Sequence, residues 1–180
     1  MAKNAFERAE FIEVREDPEY IRELVAKRAA QYFAAGFNCA EATLLSLSQH
    51  WKLESEVIPN VATCFGAGIG RKGSICGAVA GCIMALGLKM GRRNYADEER
   101  KEEAYAAALE FYLRFEKQFG SAICFNLTKC DLATIEGKRK YANLNLNKYL
   151  CENLVKEAVK NLLAVVDKFE NEFGGKKKDI

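Results

Sequence analysis

The sequence predicts an all-α protein, a multi-helix bundle in a single domain. Apolar residues recur at spacings of three and four along nearly the whole chain, which is the period of one helix face. No run of four to eight residues alternates β-branched and polar side chains, so strands have little claim. Gly, Pro, Asn, Asp and Ser stand between the periodic segments, where helices start and stop. At 180 residues the chain is long enough to bury a core without disulfides, and residues 1–180 are read as one domain. A charged N-terminal extension and a basic tail at Lys176, Lys177 and Lys178 flank it.

Each helix has its own signals. Pro18 suits a first helical turn, and Ile21, Leu24, Val25, Ala29, Tyr32 and Phe33 follow until Gly36 stops the run. Asn38 is a good N-cap for a second helix through about His50. Pro59 opens a short third helix that ends in the glycines of FGAGIG. Ser74 is expected to cap a helix from Ile75 to about Met90. The uncharged run from Gly73 to Leu88 falls short of the roughly 20 apolar residues of a membrane span and reads as a buried central helix. Gly77 and Gly81 give that helix a face on which backbones approach closely. This apolar, glycine-rich helix, with the symmetry habits of soluble proteins, makes a homodimer an expectation.

After Asp97 a long helix carries Tyr105, Ala108, Leu109, Tyr112 and Phe115 on one side and ends at Gly120. Its aromatics Tyr105, Phe111, Tyr112, Phe115 and Phe119 are assigned to the core. Ser121 then caps a short turn of helix, and the segment from Glu136 to Asn147 reads as a loop. Leu154, Val155, Ala158, Val159, Leu162, Leu163, Val166 and Phe169 form the clearest stripe, in a last helix that ends at Gly174.

Composition narrows the chemistry. With 27 Lys and Arg against 25 Asp and Glu, net +2, there is no strong field to recruit nucleic acid or an anionic membrane. The N-terminus has no apolar core of a secretory signal, so the expected location is the cytoplasm, without membrane insertion. In a reducing compartment seven cysteines read as metal ligands, redox thiols or buried packing rather than a disulfide framework. The single histidine, His50, excludes the carboxylate-histidine di-iron bundle, the HExxH hydrolase and the zinc finger with two histidine ligands. Any metal must rest mainly on sulfur. His50 lies about three turns from Cys39 and is read as surface or structural rather than as a catalytic base.

Position sorts the cysteines. Cys39 follows the N-cap Asn38, Cys76 lies two residues after Ser74, Cys124 three after Ser121, and Cys151 near the start of the last helix. A helix N-terminus offers unpaired N–H groups and the positive end of the dipole, which favour a thiolate. Cys64, Cys82 and Cys130 read as packing. No cysteine pair has the CxxC spacing. The formal GxGxxG at Gly68–Gly73 lacks a preceding strand and is rejected as a dinucleotide site. Arg71 and Lys72 beside it suit either a solvated basic turn or the balancing of an anionic cluster. No Ser/His/Asp arrangement is legible.

The blocks GFNCAEATL, FGAGIGRKGSICGAVAGCIMALGLKMGR, FEKQFGSAICFNL and YLCENLVKEAV, in this order, resemble the redox-active proteins known by the pattern C_GCAxxG_C_C. The resemblance covers roughly residues 21–166. In the central block Cys76 precedes Gly77, the reverse of the family's label. It implies that the characteristic cysteines are Cys39, Cys76, Cys124 and Cys151, the four that helix starts also single out. The family is similar to part of the split-Soret cytochromes, where the domain accompanies an iron–sulfur centre, and its members are often encoded near transporter genes. The absence of CxxCH leaves haem attachment out.

Three readings follow. In the first, the four thiolates hold an iron–sulfur cluster and pass electrons to a redox partner protein. In the second, a metal-free thiol oxidoreductase uses a low-pKa Cys76, resolved by Cys39, on a small thiol or disulfide substrate. In the third, a non-enzymatic accessory protein associated with a transporter holds zinc on the four sulfurs.

Overall fold

The computed structural model describes residues 17–53 and 55–173. The charged N-terminal extension, Gly174 and the Lys176–Lys178 tail lie outside them. The described residues form seven α-helices: α1 (Pro18–Ala34), α2 (Cys39–His50), α3 (Gly77–Met90), α4 (Glu98–Phe119), α5 (Cys124–Thr128), α6 (Ile135–Asn143) and α7 (Glu152–Phe173). A 3-10 helix at Asn60–Phe65 follows Pro59, and a π-helical turn at Asn147–Cys151 leads into α7. The fold is all-α: the described residues contain no strand, only one antiparallel bridge between Ile75 and Ile123. Among them no helix is long and apolar enough to cross a membrane.

Helix α7 organises the bundle. Leu154, Val155, Ala158, Val159, Leu162, Leu163, Val165 and Val166 are all buried, and α7 packs against α1, α2, α3 and α4. An ion pair from Arg22 to Asp167, at 2.9 and 3.1 Å, ties α1 to α7 at the edge of that contact. Phe111 and Phe115 of α4, Val79 and Leu86 of α3, and Leu44 and Leu47 of α2 complete one continuous core.

Several starts and stops match the residue types. Asp17 accepts from the Glu19 N–H ahead of Pro18, Asp97 accepts from the Arg100 N–H, and Gly120 closes α4 in the left-handed region at φ +77°. Asn38 makes a full capping box, accepting from the Ala40 and Glu41 N–H groups while Glu41 accepts from the Asn38 N–H. The free oxygen of Glu41 accepts from the Thr63 hydroxyl at 2.6 Å, which ties α2 to the 3-10 helix.

Three expectations need correction. Helix α3 begins at Gly77 with Cys76 as its N-cap, not at Ile75 under Ser74, because Ser74, Ile75 and Cys76 are extended and bonded to the segment before α5. Residues 136–147 are not a loop: Thr134 accepts from the Gly137 N–H and starts α6. Charged residues had hidden that helix, whose buried member is a glycine, Gly137. On α4, Tyr105 and Leu109 are exposed rather than core, since the core takes the Ala107, Phe111 and Phe115 side. The close-approach face expected of Gly77 and Gly81 is present, and α2 packs on it. A Cβ at Gly81 would collide with the Ala40 carbonyl oxygen and the Thr43 hydroxyl, and one at Gly77 with the Cys39 sulfur.

Gly81→Ala should therefore destabilise the protein by about 1–3 kcal/mol, the usual cost of overpacking. Gly87→Ala, in the same helix with open space around it, should stabilise it by about 0.5–1 kcal/mol through reduced backbone entropy. Urea unfolding of both variants checks the pair; equal effects would contradict the α2–α3 contact described here.

Candidate functional site

Cys76 and Cys124 are brought together by backbone. The Cys76 N–H donates to the Ala122 carbonyl at 2.8 Å, the Cys124 N–H to the Ser74 carbonyl at 2.7 Å, and the Phe125 N–H to the Gly73 carbonyl at 2.9 Å. These three bonds clasp the residues before α3 to those before α5, so the first residue of α5 stands beside the N-cap of α3. Side-chain bulk is excluded there too: a Cβ at Gly68 would lie 2.7 Å from the Cys124 Cβ.

Cys39 arrives on the third side. It is the first residue of α2, and the glycine face of α3 lets α2 approach until the Cys39 sulfur lies over Gly77. Around that sulfur are the backbone N–H groups of Ala67, Ala40, Gly77 and Cys39 itself. The Ala67 N–H belongs to an unusual segment: Ala67, Gly68, Ile69, Gly70 and Arg71 run consecutively at φ +54° to +73°. A left-handed run costs about 1–2 kcal/mol at each residue with a Cβ. Such strain marks a segment whose conformation is imposed by its surroundings. The run follows the 3-10 helix at Asn60–Phe65 rather than a strand.

Cys151 closes the ring from the last residue of the π-helical turn, one residue before α7. Its sulfur accepts a hydrogen bond from the Tyr141 hydroxyl at 3.2 Å. Cys39, Cys76, Cys124 and Cys151 thus line one cavity of about 400 Å³, together with Arg71, Lys138 and Tyr141 and with apolar walls that include Phe33, Leu127, Leu132 and Leu154. Of the other residues singled out in the sequence, Arg71 joins them, while Lys72, Cys64, Cys82 and His50 do not line the cavity. Cys64 is exposed, and Cys82 is fully buried beside Thr43. His50 ends α2, at the opposite end from Cys39, with its ring 6.2 Å from that of Trp51.

Burial opposes the thiolates that the helix starts favour. Desolvation is the largest influence on all four thiols, and the nearness of the other sulfurs raises Cys76, Cys124 and Cys151 further. Cys124 is pushed up to about 12 and Cys151 to about 11, while Cys39 and Cys76 also move upward. Backbone N–H groups oppose this at Cys39 and Cys76, and the Tyr141 hydroxyl opposes it at Cys151, without prevailing. A low-pKa Cys76 is accordingly not what this cavity makes. What it makes is a set of neutral, crowded thiols that a cation would convert together to thiolates.

Two residues of the cavity escape a reading of the sequence. Tyr141 and Lys138 belong to α6, the helix taken for a loop. Cys130 is buried against Cys124 and close enough that a charge on it would be felt at both Cys124 and Cys151. It gets there because Lys129 turns the chain in the left-handed region, at φ +54°, a conformation that lysine does not advertise. Among the described residues no group of three or more His, Cys, Asp or Glu side chains is arranged as the shell of a single metal ion.

The comparisons with known proteins identify a family. Residues 37–175 match the model of the family described as "Putative redox-active protein (C_GCAxxG_C_C)". The chain belongs to this family. An uncharacterized protein of Archaeoglobus fulgidus is 31% identical over 126 residues, covering 66% of this chain and 83% of its own length. No solved structure matches. In this C_GCAxxG_C_C protein, the matched span takes in every helix from α2 to α7 and begins two residues before Cys39.

Thiol reactivity should follow the local environment. In the metal-free protein at pH 8, Cys64 should react with iodoacetamide roughly 100-fold faster than Cys151, whose thiolate is then only about a thousandth populated. The Cys151 rate should climb as pH rises from 8 towards 11. Tyr141→Phe should slow Cys151 further, since it removes the bond that favours the thiolate. Mass spectrometry of labelled peptides reads all three, and a Cys151 as fast as Cys64 would contradict the burial described.

Proposed function

We propose that Cys39, Cys76, Cys124 and Cys151 hold an iron–sulfur cluster, and that this member of a redox-active family uses it to exchange electrons with a redox partner protein. The observation that carries the proposal is the convergence on one cavity of about 400 Å³ of four thiols, Cys76 and Cys124 buried and Cys39 and Cys151 half-buried, from the starts of α2, α3 and α5 and the end of the π-helical turn. The donor set is all sulfur, which suits iron–sulfur chemistry. A single tetrahedral zinc would need its sulfurs only about 4 Å from one another, given Zn–S bonds of about 2.3 Å. Among the described residues the sulfurs are not gathered as one ion's shell. The upward-shifted thiols count against the metal-free reading centred on Cys76, because the thiolate is the nucleophile in disulfide exchange.

An iron–sulfur cluster, when bound, supplies one-electron acceptance and release. The chain's own residues set how readily that occurs. Backbone N–H groups of Ala67, Ala40 and Gly77 at Cys39, and of Ala78 and Val79 at Cys76, favour negative charge on the sulfurs. The Tyr141 hydroxyl does the same at Cys151. Arg71 and Lys138 add positive charge at the cavity wall. All of these favour the more negative, reduced state and raise the potential. Phe33, Leu127, Leu132 and Leu154 keep water from the sulfurs. Cys39 and Cys151, each of which remains partly open, offer routes for electrons from outside.

Anaerobic purification, followed by metal and sulfide analysis and a visible spectrum, tests the proposal. Iron and acid-labile sulfide with broad visible absorption are expected. Serine in place of Cys39, Cys76, Cys124 or Cys151 should abolish or strongly reduce iron loading, whereas Cys64→Ser should leave it unchanged. Colourless zinc would favour a transporter-accessory role instead, and a protein that takes up neither metal under reconstitution would overturn the metal-centred reading.

A further inference from the structure

We infer that the basic rim of the four-cysteine cavity is the docking surface of an acidic electron-carrier protein, an inference that rests on the cluster reading above and names the chemistry of its partner. Arg71 and Lys138 line the cavity itself. Lys72, Lys129, Arg139, Lys140 and Lys148 each stand one residue along the chain from a lining residue. All seven are exposed, and none of them is in an ion pair among the described residues. By the same count only two acids, Asp131 and Glu152, adjoin the lining. The lining residues and their neighbours are thus net +5, whereas the whole chain is net +2, which leaves net −3 for the remainder. A hydrogen bond from Lys140 Nζ to the Lys129 carbonyl, at 2.9 Å, joins the cations of α6 to the turn after α5.

Sign and extent identify the occupant. A small anion is met by Arg71 and Lys138 within the cavity, and the five cations outside it have no part in holding such a ligand. A protein face can cover them all. Ile69, Phe125 and Tyr149, which are 45%, 46% and 73% exposed in the same segments, offer it apolar contact among the charges, the mixture that protein interfaces use. The field is also local. A net negative remainder repels a polyanion longer than the rim, because phosphate charge continues along the whole strand, but it does not repel a compact acidic protein. Opposite charge speeds the encounter of the small, short-lived interfaces through which electron-transfer partners meet. Docking at this rim sets the partner's redox centre against the partly open Cys39 and Cys151.

Nuclear magnetic resonance titration of the isotope-labelled full chain, metal-free and again after iron–sulfur reconstitution, reads the outcome. The probes are reduced plastocyanin, a small acidic copper protein, and cytochrome c, a small basic haem protein. At about 10 mM salt, where the Debye length is about 30 Å, plastocyanin should shift the amides of residues 69–72, 129, 138–140 and 148–149. Cytochrome c should not. Raising the salt to about 150 mM should weaken plastocyanin binding about tenfold through screening. Lys72→Glu combined with Arg139→Glu should weaken it about tenfold at low salt. Lys27→Glu combined with Lys117→Glu, the same change of net charge placed on α1 and α4, should leave it within about twofold. These four positions are exposed, so the urea midpoints should stay unchanged. The metal-free titration is decided whether or not the chain takes up iron, which separates a failure of this surface from a failure of the cluster reading. Plastocyanin that leaves the rim amides unmoved, or cytochrome c that shifts them as much, would overturn the proposal. So would an equal loss in the two double variants, or an oligouridine of about ten nucleotides that binds the rim more tightly than plastocyanin.

Discussion

The site depends on three backbone hydrogen bonds between residues 73–76 and residues 122–125. They are the nearest thing to a sheet in an otherwise helical protein, and they do what helix packing alone does poorly. Two helix starts far apart in sequence are held side by side at hydrogen-bond precision, with the Cys76 and Cys124 N–H groups donating two of the three bonds. The other walls follow from it. Helix α2 can bring Cys39 over Gly77 only because α3, oriented by the clasp, presents Gly77 and Gly81 to it. The left-handed run from Ala67 to Arg71 is the connection that this geometry leaves between the 3-10 helix and the clasp. Its bonds from Gly73 to Ala67 and from Ser74 to Gly68 continue into the clasped residues.

Convergence sets two electrostatic effects against each other. Helix starts supply N–H groups that favour thiolates, while burial and the nearness of other sulfurs favour thiols. Partial charges at helix ends act over a short range and are worth about 0.3–1 kcal/mol in exposed settings. Removing an anion from water costs several kcal/mol. Burial therefore wins at Cys76, Cys124 and Cys151, and the same N–H groups matter only once a cation has compensated the charge. This explains how a pocket with every sign of thiolate stabilisation at the level of single helices holds neutral thiols as a whole. The proposed role as a cluster scaffold follows from that difference in scale.

The extent to which the fold was legible differs from element to element. α1, α2, α4 and α7 carry either a cap residue or a long apolar stripe, both local signals, and their predicted limits agree with the structure to within a few residues. Helix α6 failed because its residues are mostly charged and its buried contact is made by Gly137, which has no side chain to register in a periodicity. With α6 went Tyr141 and Lys138. The exposure of Tyr105 and Leu109 could not be read either, since α4 is apolar on more than one side and only its neighbours decide which side is covered.

By itself the sequence determined the all-α class, the family, and the identity of four cysteines set apart from the other three by their places at helix starts. These are properties of short windows, where capping chemistry and spacing act within a turn or two of helix. Only the tertiary structure decided that the four thiols share a cavity, that they are neutral there, that Tyr141 donates to Cys151, and that Cys130 stands close behind. Each of these depends on the distance between segments remote in sequence, and on how much water the assembled walls exclude. Neither quantity has a local signature, because both are set by the clasp, the glycine face and the packing of α7.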